Sequence, residues 1–148
     1  MGRDKKSDQI LYIGFNQKKS LVTVGTEKGF HVYDSQTMEE VGARDMAGGL
    51  GIVEVLNTSN LMVLTGGGRY PLFPLSKIIL WDDDEEKRKA EITFKSVVKA
   101  VKIKIEYLIV ILESKILVYS TLGELDLIYQ APTLMNLKGV FSVNACDE

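Results

Sequence analysis

The chain is short of the residues from which most sites are built. It has one cysteine, Cys146, so an internal disulfide framework and a cysteine-rich zinc cluster are both excluded. It has one histidine, His31, which leaves no second imidazole for a metal site. Its four arginines, Arg3, Arg44, Arg69 and Arg88, are scattered with no two adjacent. No apolar run approaches the ~20 residues of a membrane-spanning helix. The opening MGRDKKSDQ lacks the apolar core of a secretory signal, so the cytoplasm is the expected compartment. A formal net charge of -2 gives no overall pull toward nucleic acid, and no nucleic-acid partner is expected. What remains is the composition of one globular domain or a piece of a larger one: 148 residues, 45% apolar and 26% charged.

Short alternating runs fill that composition, and they repeat. TEKGFHVYDS (26–35), PLSKIILWDD (74–83) and LESKILVYST (112–121) share one plan: a polar turn, a strand-like run, then Tyr33, Trp81 or Tyr119. Asp34, Asp82 and Ser120 follow those aromatics directly. SLVTVG, NLMVLTG and EYLIVIL precede them and read as buried strands. ILYIGFN, GIVEVLN and VKAVKIK come earlier still, and MEEVGAR, RKAEITF and ELDLIYQ come after, with charge that suits outer edge strands. The unit is four antiparallel strands, present three times. The aromatics stand 48 and then 38 positions apart, bracketing the roughly 40–45 residues of a propeller blade.

The expected fold is therefore all-β, a partial propeller of about three four-stranded antiparallel blades. A polar tail covers 1–9. Blade 1 spans about 10–46, blade 2 about 50–94 and blade 3 about 97–130, and 138–144 is expected as the first strand of a fourth. Because a ring takes roughly 4–8 blades, open blade faces predict self-association, with other chains completing the ring.

Three stretches invite a chemical reading. Gly66, Gly67 and Gly68 resemble a phosphate loop, but that motif ends in Gly-Lys-Ser/Thr and opens a helix, whereas these glycines lead to Pro71, Pro74 and a strand. A flexible turn needing positive φ is the better reading. AGGLGIV (47–53) fails likewise and reads as an interblade linker. The run from Asp82 to Glu86 lacks the spaced ligands of a calcium loop and meets Lys87, Arg88 and Lys89 at once, as a solvated hairpin tip does; Asp82 can cap the turn by accepting backbone N–H bonds. Lys99, Lys102 and Lys104 make either a basic stripe or the solvent side of a strand. No nucleophile, base and oxyanion donor assemble, so the chain reads as no enzyme, with no cofactor and no metal.

GGLGIVEVL, LTGGGRYPLFPLSKIILWDD, SVVKAVKIK and LIVILESKILVY resemble the N-terminal blades of the PROPPINs, the phosphoinositide-binding WD-repeat propellers of autophagy, called WIPI proteins in animals. The resemblance runs from about Ile10 onward, and its specific part is Gly66 to Asp83. It implies a seven-bladed ring that binds phosphatidylinositol 3-phosphate and the 3,5-bisphosphate beside a Phe-Arg-Arg-Gly motif. No Arg-Arg pair exists in this chain, so no lipid-binding residue carries over. The resemblance also implies a scaffold for an autophagy lipid-transfer protein, peripheral on autophagosomal, endosomal or vacuolar membranes. Some members instead recruit the ubiquitin-like conjugation machinery through basic residues of the third blade; the matching positions here hold Tyr107 and Leu122, which disfavours that branch. The expected partner-binding residues are Arg69, Tyr70, Pro71, Leu72, Phe73, Pro74 and Lys77. The alternative is a generic WD-type interaction scaffold without lipid binding.

Overall fold

The computed structural model describes residues 8–143. Twelve strands form three separate antiparallel sheets of four. The first joins β1 (Ile10–Phe15), β2 (Leu21–Thr26), β3 (Gly29–Asp34) and β4 (Glu40–Asp45) in that order. The second joins β5 (Leu50–Val55), β6 (Leu61–Gly66), β7 (Lys77–Asp82) and β8 (Lys87–Thr93). The third joins β9 (Val98–Ile103), β10 (Tyr107–Leu112), β11 (Lys115–Ser120) and β12 (Asp126–Pro132). Each sheet is a propeller blade, as the repeat implies.

The middle blade is apolar on both faces, and the period of two splits its residues between two cores. Val53, Val55, Met62, Leu64 and Ile79 pack with Phe30 and Val32 of the first blade. Ile52, Val63 and Ile78 pack the other way, with Val98, Val101, Ile103 and Leu108 of the third. Polar ties also link the blades, the third of them joining the first blade to the third. The Thr23 hydroxyl donates to the Val53 carbonyl at 2.7 Å, Asn57 N–H donates to Gln17 Oε1 at 2.7 Å, and the Gln17 amide donates to the Ile103 carbonyl.

The repeated plan has a structural counterpart. In all three sheets the pairing of third and outer strands slips one residue immediately before the aromatic, at Val32/Tyr33, Leu80/Trp81 and Val118/Tyr119. Asp34 then accepts the N–H groups of Gln36 and Thr37 at 2.9 and 3.0 Å, and Asp82 those of Asp84 and Glu85 at 3.0 and 3.1 Å. The Thr37 and Gln36 N–H groups hold the Asp34 carboxyl below its ordinary value.

β4, β8 and β12 are the outer strands, as expected, and β12 leaves Leu127, Ile128 and Tyr129 exposed. One expectation fails. The strand expected at 138–144 does not form over its described part, 138–143: Gly139 takes φ 64° against the Lys99 backbone of β9, and no strand pairs with the segment among the described residues. Asn144 and Cys146 lie outside the described residues.

Candidate functional site

Because neighbouring strands are antiparallel, the turns fall alternately at two ends of the blades. The β6–β7 loop, 67–76, belongs to the same end as the β2–β3 turn and the linkers between blades. It is held rather than free. Gly49, in the linker from the first blade to the second, donates its N–H to the Tyr70 carbonyl at 2.8 Å and accepts from Gly67 and Leu72 at 3.2 and 3.0 Å. Gly49 and Pro71 form an isolated parallel bridge. The Arg69 N–H reaches the Glu27 carboxylate of the first blade at 3.1 Å, and farther along the loop Leu75 accepts from the Val98 N–H at 2.9 Å. The loop thus spans from blade 1 to the start of blade 3.

The seven expected partner-binding residues separate accordingly. Phe73 is 5% exposed and belongs to the core between the first two blades, with the Arg88 guanidinium 4.9 Å above its ring. Leu72 is half-buried against the same core. Neither is available as an anchor, because an apolar side chain beside an interblade crevice gains more from burial there than from water. Lys77 is half-buried, 3.5 Å from Glu91. Arg69, Tyr70, Pro71 and Pro74 are exposed, Tyr70 at 80%. The result is a rigid loop with a raised aromatic.

Three glycines allow this seating. Gly68 alone of the triplet has the left-handed backbone, φ 78°. Gly66 and Gly67 are required by close approach: a Cβ on Gly66 would overlap the Phe73 carbonyl, and one on Gly67 would lie 2.6 Å from the Gly51 Cα.

Two charged arrangements were not legible from the residue order. Arg44, on the outer strand of the first blade, pairs with Asp83 at 2.5 Å and Glu86 at 2.9 Å, and Asp83 also accepts from the Trp81 indole at 3.1 Å. The acidic run is thus a blade-to-blade latch, and its tip is neutralised by Lys87 and Lys89, which hold Glu85 down to about 2. On the innermost strands, buried Glu54 accepts from the Tyr12 hydroxyl at 2.7 Å and lies 3.9 Å from Lys102, so one carboxyl touches all three blades. Lys102 is therefore not part of a free basic stripe. His31 lies 3.3 Å from Glu40 and 3.7 Å from Asp8, and among the described residues no cluster suits a metal ion.

Burial pushes the Glu54 carboxyl up, and the Tyr12 hydroxyl and Lys102 ammonium offset this only in part. The folded chain therefore keeps this proton at a pH where the unfolded chain has lost it. The stability that Glu54 contributes is full below its ordinary value of 4.5 and fades as pH rises through the folded value. Glu54→Gln keeps an acceptor for Tyr12 and cannot ionise, so its melting temperature should gain on that of the parent as pH rises above 4.5. A difference independent of pH, in melts across that window, would show that Glu54 is not desolvated in solution.

No family profile matches the chain. SVP1-like protein 2 of Pichia angusta is 34% identical over 139 residues, which cover 91% of this chain and 39% of that protein. Autophagy-related protein 18e of Arabidopsis thaliana is 36% identical over 144 residues, 95% of this chain and 38% of that protein. The chain therefore spans about two fifths of the length of the curated relatives it matches. Among solved structures, Hsv2 of Kluyveromyces marxianus superposes with a TM-score of 0.76 at 20% identity, over 85% of this chain and 40% of that one. KlAtg21, solved in complex with the coiled coil of AgAtg16, gives 0.69 at 18% identity, over 83% and 39%. These likenesses in structure show the propeller fold.

Proposed function

Because the chain belongs to the PROPPIN family of autophagy propellers, we propose that it forms the partner-docking blades of a phosphoinositide-recruited scaffold whose partner is a lipid-transfer protein. The loop 67–76 carries this reading. Its main chain is bonded to the Glu27 carboxylate of the first blade, to Gly49 of the linker and to Val98 of the third blade, so little further entropy is lost when a partner lands on it. It presents Tyr70, 80% exposed, beside Arg69, and aromatic and arginine side chains dominate interface energies. Loops on rigid β scaffolds commonly carry binding.

The lipid headgroup, phosphatidylinositol 3-phosphate or the 3,5-bisphosphate, is met by blades outside this chain. Headgroup recognition takes convergent arginines, whereas Arg44 is committed to Asp83 and Glu86, and Arg88 lies 3.5 Å from Glu91. The whole protein works in the cytoplasm and on autophagosomal, endosomal or vacuolar membranes.

In the full-length protein, Arg69→Ala with Tyr70→Ala should weaken binding of the purified lipid-transfer partner by about 1–3 kcal/mol, at unchanged melting temperature. Unaltered affinity in a titration of the double variant would remove the docking claim.

A further inference from the structure

The net charge of -2 conceals a division between the two ends of the blades. The turns opposite the β6–β7 loop carry exposed Glu39, Asp84, Glu85, Glu86, Glu106 and Glu124 against exposed Lys18 and Lys19, with Glu85 paired to Lys87 and Lys89 and Glu86 to Arg44. The end that bears the loop carries Lys28, Arg69, Lys95, Lys115 and Lys138, also exposed. Among the described residues none of these five cations has a carboxylate at ion-pair distance from its side chain. The acids at this end are fewer, chiefly Asp45, Glu27 and Glu113, and Glu27 is occupied by the Arg69 N–H.

Exposed apolar side chains lie along the same rim. Tyr70 and Leu75 stand on the loop, and Val97 follows where the Val98 N–H meets the Leu75 carbonyl. Beyond blade 3, Leu134 is 92% exposed, on a segment tied back to the β10–β11 turn by Thr133 N–H to Ser114 at 2.8 Å. Hydrogen bonds thus tie the loop to the start of blade 3 and the segment after β12 to the β10–β11 turn, on the rim that bears these cations and apolar groups. Solvated lysines alone are ordinary surface, but their concentration beside exposed apolar residues, with most of the acids at the other end, selects a partner by charge sign.

We propose that this rim docks an acidic protein segment bearing apolar side chains, with the cations steering its carboxylates and Tyr70, Leu75 and Val97 receiving its apolar groups. The proposal rests on the docking role of the loop and adds the chemistry of what docks. A segment suits the rim better than a membrane surface does, because Asp45 and Glu113 stand among the cations: a chain can leave a gap opposite each, whereas a flat anionic surface cannot.

The test is a titration of the full-length protein with a labelled peptide of glutamates interspersed with Leu and Phe, in parallel with phosphatidylcholine–phosphatidylserine vesicles. Lys95→Glu with Lys115→Glu should weaken peptide binding about tenfold or more. Lys18→Glu with Lys19→Glu, at the opposite end, should leave it nearly unchanged, and binding should weaken as salt rises. All four positions are exposed, so both variants should melt with the parent. Equal weakening by both pairs overturns the proposal, as does rim-dependent binding of vesicles without binding of peptide. Partner capture that still needs Tyr70 while the peptide ignores the rim overturns it too, and leaves the docking surface standing.

Discussion

Phe73→Ala should destabilise the chain by about 3–5 kcal/mol, the cost of removing a buried aromatic ring and leaving its cavity. The ring fills the seam between the first two blades, among Phe30, Leu50, Val53 and Ile79, and supports the Arg88 guanidinium above it. Blade-to-blade packing is what turns separate four-stranded sheets into a stable array. The loss is therefore expected as cooperative unfolding at lower denaturant, not as local loosening. Tyr70→Ala, three residues away on the same loop, should change stability by no more than about 0.5 kcal/mol, because Tyr70 is 80% exposed. Denaturant titrations of the two variants should differ accordingly. Equal midpoints would mean that the loop does not seat Phe73 in the seam.

Gly66→Ala should cost about 3 kcal/mol or more despite adding a single methyl group. The new carbon would overlap the Phe73 carbonyl oxygen, with the Phe73 nitrogen 2.9 Å away. Both are backbone atoms, so no side chain can swing aside. Relief requires the loop to lift, which extracts Phe73 and strains the bonds from Gly49 to Tyr70 and Leu72. The substitution should thus unseat the same ring as Phe73→Ala, and the double variant should lose less than the sum of the two. Full additivity in unfolding free energies would place the two positions in independent structures.

The blades were legible because their signal is local and repeated. Tyr33, Trp81 and Tyr119, each followed by a residue able to cap a turn, mark the same position in three sheets. The slip in register just before each aromatic was not legible, since a two-for-one pairing is a property of two strands and leaves no mark on one. The exposure of Leu127, Ile128 and Tyr129 on β12 escaped for a related reason: burial depends on what lies alongside.

The loop shows the same limit at the candidate site. Its prolines, glycines and aromatics marked a lengthened hairpin loop, but a non-periodic stretch gives no rule for which side chain turns inward. Tyr70 and Phe73 look equivalent in sequence and are opposite in the fold. Glu54 stood in plain view as a lone charge within GIVEVL. Its partners, Tyr12 and Lys102, are 42 and 48 positions away and meet it only when three inner strands converge.

The end of the blades that meets the partner is the point on which the functional account turns. It is best tested by replacing single residues of the full-length protein with photoreactive p-benzoylphenylalanine and illuminating it with the purified lipid-transfer protein proposed as partner. Tyr70 and Tyr107 are both exposed and lie at opposite ends of the blades, so they make a matched pair of positions. The account predicts a covalent adduct from position 70 and none from position 107. An adduct from position 107 alone would contradict it.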